Sequence, residues 1–237
     1  MPLRVLYRDE LVLAVDKPAG WLTVPGRGLG EVLSERVKEL APEALPVHRL
    51  DRGTTGVVLF ALGPAPHRAL NAAFESRRAE KVYLALARGA LEGVLLCELP
   101  LRAARNGSMR PAHPGEQGAQ AAITELRPLE RFAGYTWLEA RPRTGRTHQI
   151  RAHLAAMHLP LAVDERYGQG EPLRAGALDP AAPDPDRPVL TRTPLHAAAI
   201  RVPHPRGRGW LAVEAPLPPD LLECLERLRA ARRAGAR

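Results

Sequence analysis

Segments with the pattern of β-strands follow one another along this chain, and only some of them are separated by a helical segment. Apolar or alternating runs typical of strands lie at 3–7, 11–16, 57–62, 81–88, 94–99, 120–126, 135–141, 195–202 and 210–215. Helical periodicity is present at 31–40, 65–78, 147–157 and 221–233. Because strands and helices do not alternate strictly, the order favours an α+β fold with a mixed, largely antiparallel sheet over a doubly wound parallel sheet.

Length and composition limit the class of protein further. The chain has 237 residues, 45% of them hydrophobic, so a sizeable core can form without disulfides or metals. Its two cysteines, Cys97 and Cys224, stand far apart and predict neither a disulfide framework nor a cysteine metal site. No run reaches the ~18 apolar residues of a membrane span, and no signal-peptide pattern is present. We therefore expect a cytoplasmic protein with no membrane contact, forming one domain over 1–226 followed by a basic tail at 227–237.

Positive charge is concentrated in two places, although the net charge is only +8. The tail 227–237 carries five arginines and no acid, and it could either bind RNA without specificity or be frayed. The segment 141–153 carries four arginines and two histidines without a carboxylate. Such density is typical of a phosphate-facing surface, although a solvated helix face is the alternative. Arg143 and Arg146 precede the helix predicted to start at Thr147, where free N–H groups favour a phosphate.

Several kinds of site are disfavoured by spacing. His148, His153 and His158 are five residues apart, so at ~100° per residue they cannot share one helix face as a zinc pair does. No glycine-rich motif for a triphosphate or a dinucleotide and no serine nucleophile elbow is present. No metal and no cofactor are therefore expected.

One carboxylate has an unusual setting. Asp51 lies between Arg49 and Arg52, and Gly53 and Gly56 follow just before the apolar run 57–62. On composition alone, an aspartate that accepts backbone N–H bonds in a turn is favoured over a catalytic carboxylate.

Six motifs in register change this preference, because together they resemble the RluA family of RNA pseudouridine synthases, in a short form without an S4 domain. The segment 48–56, with sequence HRLDRGTTG, resembles the catalytic motif of that family. The other matching segments are 17–20 (KPAG), 81–83 (KVY), 144–153 (TGRTHQIRAH), 164–168 (DERYG) and 195–197 (LHA). The chain departs from the usual pattern at Val163, which precedes Asp164 where the family commonly has glycine.

The resemblance implies isomerisation of uridine in RNA without a cofactor, in a central cleft of the pseudouridine synthase fold. Asp51 would be the essential carboxylate, attacking the sugar or the base or abstracting a ribose proton. Arg151 would pair with Asp51 and favour its charged form. Tyr83 would stack on the uracil and assist in removing the C5 proton, although a tyrosine here could also be a core residue of its strand.

The resemblance also implies that the target uridine flips out of the RNA. Arg49 is expected to fill the vacated space, and Arg52 could instead contact a phosphate. The backbone would be held by Arg143, Arg146, Thr147 and His148, with Arg102, Arg105 and Arg110 as weaker candidates. The partner would be a transfer RNA or a ribosomal RNA stem-loop, bound by a monomer.

Two other functions remain open from the residues. A non-catalytic RNA-binding module on the same fold would need the basic surface but not Asp51. A metal-dependent phosphoesterase would need its histidines to share a face, and their helical spacing disfavours this.

Overall fold

The computed structural model describes residues 3–26, 30–105, 107–179 and 181–235. The strands of these residues are β1 (Arg4–Arg8), β2 (Val12–Lys17), β3 (Ala44–Pro46), β4 (Thr55–Leu62), β5 (Glu80–Arg88), β6 (Leu95–Cys97), β7 (Leu101–Ala103), β8 (Met109–Pro111), β9 (Thr124–Phe132), β10 (Tyr135–Pro142), β11 (Leu173–Arg174), β12 (Pro188–Leu190), β13 (Leu195–Pro203) and β14 (Trp210–Glu214). The helices are α1 (Leu33–Leu40), α2 (Pro64–Glu75), α3 (Gln149–Ala156), α4 (Ala175–Leu178) and α5 (Pro219–Gly235).

The chain forms two compact units. The first unit is the described part of 1–83 together with 196–216, and the second unit is the described part of 84–195 and 217–235. The chain passes from the first to the second within β5. The sequence predicted one domain over 1–226, and the contacts within that range separate into these two units.

Antiparallel pairing dominates the first unit. β2 pairs with β1 and β4, β3 also pairs with β4, and β14 pairs with β13, all antiparallel, whereas β13 pairs with β4 in parallel. Successive strand residues face opposite sides, so Val12 packs in one core cluster with Leu70 of α2, and Leu13 in another with Leu33 of α1. Burial on both faces explains the continuous apolar run 57–62.

The start of β4 depends on a glycine. Gly56 has φ +110°, and a Cβ there would lie 2.2 Å from the carbonyl oxygen of Ala197 on β13. Beside it, the Thr55 hydroxyl lies 2.9 Å from Nδ1 of His196, which is fully buried. A side chain at position 56 would therefore separate the two parallel strands.

The second unit contains the antiparallel ladder β10, β9 and β6, with β5 beside β10, and two small antiparallel pairs, β7 with β8 and β11 with β12. Its main core cluster joins Leu86 of β5, Trp137 of β10, Leu173 of β11 and Leu225 of α5. The α+β class with a mixed, largely antiparallel sheet is therefore confirmed. Among the described residues, no helix combines the length and apolar character needed to cross a membrane.

Three segments differ from the sequence predictions. The region 169–188, for which the sequence predicted neither helix nor strand, contains β11 and α4 and buries Leu173 and Leu178 in the core. The region 102–118, which also had no predicted element, contributes most of the β7–β8 hairpin. The strand predicted at 120–126 begins at Thr124 and continues to Phe132. Its second half carries charged residues at exposed positions and few apolar ones, so the sequence did not predict this part as a strand.

The basic tail predicted at 227–237 is, as far as it is described, the end of α5, which runs to Gly235. Arg229 and Arg232 both form ion pairs with Glu130 on β9. These ion pairs neutralise part of the positive charge that was predicted to lie on a separate tail. Arg237 lies outside the described residues.

Candidate active site

Asp51 lies in the loop between β3 and β4, and the residues on both sides of it are anchored by polar contacts. The Thr23 hydroxyl donates to the carbonyl of Leu50 at 2.9 Å and accepts its N–H at 3.0 Å. The carbonyl of Arg52 accepts the N–H of Gly20 at 2.9 Å. Asp51 itself is half-buried, and its carbonyl accepts the N–H of Thr54 at 3.1 Å. The backbone that carries the carboxylate is thus fixed on both sides.

A buried ammonium group provides a further anchor of this loop. Lys17, at the end of β2, has no solvent exposure. Its Nζ donates to the carbonyls of Pro18 at 2.9 Å, Trp21 at 2.8 Å and Arg52 at 3.2 Å. Carbonyl dipoles can replace the hydration of a buried cation, so Lys17 ties the 17–21 turn to the residue after Asp51. Lys17 belongs to the matching family motif at 17–20, but the sequence did not predict these contacts.

His48 begins the Asp51 loop as a neutral ring. Its Nε2 accepts the backbone N–H of Leu59 at 3.1 Å, and the ring stacks on Phe74 with centroids 5.2 Å apart. Burial, with a smaller contribution from the positive charge of Lys81, lowers the pKa of His48 to about 3. Burial also lowers the pKa of Lys81 to about 8. The bond to Leu59 therefore persists across the neutral pH range.

Tyr83 lies in the same unit as Asp51, and the charge of Asp51 affects the pKa of its phenol. Burial, and then the negative charge of Asp51, raises the pKa of Tyr83 above its ordinary value. The side chain also packs against the core cluster that contains Leu13 and Phe60. The phenol therefore stays protonated at neutral pH, which suits a stacking ring better than a base.

The two arginines beside Asp51 are both exposed. Arg52 donates from Nε to the carbonyl of Gly20 at 3.0 Å, so part of its side chain supports the turn at 17–20. Arg49 lies on the exposed side of the loop, where it can reach a bound partner.

Arg151 lies on α3, in the second unit, and a carboxylate of the same unit holds it. Asp164 accepts hydrogen bonds from Nε and from Nη2 of Arg151, each at 2.8 Å. The pair is deeply buried, with side-chain exposures of 9% for Arg151 and 0% for Asp164. A bidentate pair of this kind fixes both the position and the plane of the guanidinium. Asp164 belongs to the matching family motif at 164–168, but the sequence did not predict that it binds Arg151.

The start of α3 corrects one prediction. The helix begins at Gln149 and not at Thr147, because His148 adopts a left-handed backbone conformation with φ 52°. The Gln149 side-chain oxygen accepts the Thr144 hydroxyl at 2.7 Å and the N–H of Arg146 at 3.0 Å. The predicted phosphate site at a helix start on Thr147 is therefore not formed in this way, although Thr147 itself is exposed.

The basic segment 141–153 gains acidic partners that the sequence did not show. Arg141 pairs with Glu139 at 2.7 Å and Arg143 with Glu125 at 3.1 Å. Arg146 donates from Nε to the carbonyl of Ala121 at 3.1 Å. Because such exposed pairs are weak, Arg143 remains able to exchange its partner for a phosphate.

The weaker RNA-contact candidates have similar partners. Glu116 accepts hydrogen bonds from Arg102 at 2.6 Å, from Arg110 and from the N–H of His113 at 2.9 Å. Hydrogen bonds from Arg110 and His113 lower the pKa of Glu116 to about 2. This carboxylate therefore holds two of the three arginines, whereas Arg105 is exposed.

The histidines do not assemble a metal centre within the described ranges, where no group of three His, Cys, Asp or Glu side chains could hold an ion. His153 is buried and lies 2.9 Å from the Thr124 hydroxyl and 2.9 Å from the carbonyl of Leu99. Burial lowers the pKa of His153, in keeping with a structural role.

Comparison with known proteins adds independent evidence. The family model described as RNA pseudouridylate synthase matches residues 11–156. The ribosomal large subunit pseudouridine synthase D of Xanthomonas campestris is 36% identical over 236 residues, which cover 97% of this chain and 70% of that protein. The ribosomal large subunit pseudouridine synthase C of Escherichia coli is 36% identical over 233 residues, which cover 96% and 70%.

Two solved structures share the fold. Human RNA Pseudouridylate Synthase Domain Containing 4 gives a TM-score of 0.76 at 21% identity, covering 95% of this chain and 93% of that one. Human RNA Pseudouridylate Synthase Domain Containing 1 gives 0.73 at 28% identity, covering 98% and 95%.

Proposed function

Because this chain belongs to the RNA pseudouridylate synthase family, we propose that it isomerises uridine to pseudouridine in ribosomal RNA, with Asp51, Tyr83 and Arg151 as its catalytic residues. The reaction breaks the bond from N1 of uracil to C1′ of ribose and forms a bond from C5 to C1′. C5 loses a proton and N1 gains one, so the product is an isomer of the substrate. None of these steps calls for a redox partner or a group donor.

The observation that carries the assignment of Asp51 is the anchoring of its two neighbours. Thr23 holds Leu50, and Lys17 holds the carbonyl of Arg52. A reacting carboxylate must be kept in place against a substrate, and restraint of the backbone on both sides achieves this. A turn aspartate with a purely structural role would not need such anchors on its neighbours.

Tyr83 and Arg151 have complementary roles in this proposal. Tyr83, kept protonated by burial and by the charge of Asp51, offers an aromatic face on which the detached uracil can stack and rotate. Arg151, held by Asp164, supplies a fixed positive charge to the reaction.

The proposed RNA contacts are residues that are at least partly exposed. Arg49 is proposed to enter the stack in place of the flipped uridine, and Arg52, Arg143, Arg146, Thr147 and His148 to contact the RNA backbone. We further propose that the protein acts in the cytoplasm as a monomer on a structured RNA. Ribosomal RNA is the first choice, because the relatives are named for the large ribosomal subunit, and transfer RNA is the competing substrate.

The test is incubation of the purified full chain, with EDTA, with unmodified transcripts of large-subunit ribosomal RNA and of transfer RNA, followed by mapping of pseudouridine. We expect product in the ribosomal transcript, none with Asp51→Asn, and wild-type product with the exposed control Asp184→Asn. Product in transfer RNA alone would overturn the substrate assignment. Undiminished product in Asp51→Asn would overturn the catalytic one.

A further inference from the structure

We propose that Tyr167 is a positioning residue that holds the guanidinium of Arg151 in its working orientation. The proposal rests on the function proposed above for Arg151. Tyr167 follows α3 in the chain and lies in the same unit as Arg151.

The ring of Tyr167 covers one face of the Arg151 guanidinium. The guanidinium carbon lies 5.0 Å from the ring centroid, within the range of a cation–π contact. Asp164 grips the edge of the same guanidinium through Nε and Nη2. Edge and face contacts together restrain rotation about different axes, so the carboxylate alone does not define the orientation.

Asp164 also ties the loop that carries Tyr167 to Arg151. Its Oδ1 accepts the backbone N–H of Arg166 at 3.0 Å and that of Tyr167 at 3.2 Å, in addition to Nη2 of Arg151. One carboxylate oxygen therefore links the guanidinium to the backbone of the residue whose ring packs on it.

The hydroxyl of Tyr167 fixes the other end of the ring. It accepts the N–H of Met109 on β8 at 2.6 Å and lies 3.0 Å from Nδ1 of His148. The His148 ring also meets the tyrosine ring edge-on, with centroids 5.6 Å apart. The β7–β8 hairpin and the turn before α3 therefore both hold the ring that packs on Arg151.

Ring and hydroxyl can be tested separately. Tyr167→Phe keeps the ring over Arg151 and removes the two hydroxyl contacts, whereas Tyr167→Leu removes the ring as well. Phe132→Leu is the matched control, because Phe132 also lies under an arginine, Arg232, at 5.1 Å in the same unit.

The first readout is steady-state kinetics of the full chain on the large-subunit ribosomal transcript. Misplacement of a catalytic group by about 1 Å can cost about 100-fold, so we expect Tyr167→Leu to lower kcat by at least ~10-fold with KM within about 3-fold. Phe132→Leu should keep kcat within about 3-fold of wild type, because it leaves the ring over Arg151. Tyr167→Phe keeps that ring but loses the hydroxyl contacts that hold it, so its loss of kcat should be smaller than that of Tyr167→Leu. Equal losses in Tyr167→Phe and Tyr167→Leu, or a wild-type kcat in both, would overturn the proposal.

The second readout is independent of activity. The Nε–H resonance of Arg151, assigned by its loss in Arg151→Lys, should move in Tyr167→Leu as the ring current is lost, and should stay close to its wild-type position in Tyr167→Phe. An unchanged resonance in Tyr167→Leu would refute the contact. A wild-type protein that forms no pseudouridine on any RNA would refute the proposed function instead, and the resonance would still decide the role of Tyr167.

Discussion

The two units hold their proposed catalytic side chains in different ways. In the first unit, hydrogen bonds to the backbone on either side fix the Asp51 loop, and the donors are the Thr23 hydroxyl and the Lys17 ammonium. In the second unit, a buried carboxylate grips the Arg151 side chain directly. The first arrangement anchors the chain around the charged group, whereas the second anchors the charged group itself.

This difference matches the work proposed for each residue. Hydrogen bonds to the backbone on both sides of Asp51 restrain the position of its carboxylate, as a reacting group requires. Arg151 serves as a fixed charge, and a bidentate partner keeps it in one plane. The two arrangements should therefore respond differently to mutation, the first through the packing and hydrogen bonding of its backbone and the second through charge.

The largest effect is expected at Gly56, where the Asp51 loop enters β4. A Cβ at position 56 would overlap the Ala197 carbonyl at 2.2 Å, so Gly56→Ala should leave no stably folded protein. Gly63→Ala is the control, because Gly63 has a similar φ of +107° with no atom within 4 Å of the added Cβ. Circular dichroism during thermal unfolding measures both. Similar melting temperatures for the two variants would show that β4 and β13 are not closely paired.

The next largest effect is expected at Asp164, which forms a buried ion pair with Arg151 in the second unit. Removing one partner of a buried pair costs about 3–5 kcal/mol, so Asp164→Asn should lose roughly that much in urea unfolding at pH 7. Asp220→Asn is the control, since Asp220 makes a similar bidentate pair with Arg192 but has 35% side-chain exposure. We expect the control to lose about 1 kcal/mol, as exposed pairs do. Equal losses would contradict the dependence of the second unit on the buried Arg151–Asp164 pair.

A smaller effect is expected at Lys17, which tests the backbone anchors of the first unit. Lys17→Met removes the donor to three partly buried backbone carbonyls and should cost about 2 kcal/mol of unfolding free energy. It should also lower kcat more than it raises KM, because the Asp51 loop loses one of its two anchors at the Arg52 carbonyl. Lys38→Met, an exposed lysine on α1, should change neither. A Lys17→Met enzyme with wild-type kcat would rule out a positioning role for these bonds.

The smallest effect concerns pH and the neutral His48. Its pKa of about 3 lies below the ordinary value, so between pH 6.5 and 3 the unfolded chain binds a proton that the folded chain does not. Stability is therefore lost progressively as the pH falls below 6.5. His48→Gln keeps an acceptor for Leu59 without titrating, so it should lose less stability between pH 7.5 and pH 5 than wild type. His113→Gln, on an exposed loop, should behave as wild type, and identical losses in all three proteins would exclude burial of a neutral His48.

Short-range pattern predicted much of the fold. The strands predicted at 3–7, 11–16 and 81–88 lie within one residue of β1, β2 and β5. The burial of a strand is visible in the apolar character of neighbouring residues, so a short stretch of sequence is enough to predict it. The β11–α4 segment was missed because its few apolar residues, such as Leu173 and Leu178, are buried by partners distant in the chain.

In the candidate site, too, features formed by neighbouring residues were predicted and contacts between distant residues were not. The motif around Asp51 was visible in the sequence because its residues are contiguous. The contacts that hold the site join residues far apart, as Thr23 joins Leu50 and Tyr167 joins Met109, and no spacing rule connects such positions. The acidic partners of Arg141 and Arg143 were not predicted, although Glu139 is only two residues from Arg141, because a run of like charges does not show which carboxylates outside it lie nearby.

The most direct test of the central claim measures RNA binding and turnover on the same Asp51→Asn protein. Binding to the large-subunit ribosomal transcript is followed by filter retention, and pseudouridine formation by mapping under identical conditions. We predict binding within about 3-fold of wild type, since phosphate contacts dominate affinity, together with no detectable pseudouridine. Pseudouridine formed at the wild-type rate by Asp51→Asn would contradict the assignment of this carboxylate to the reaction.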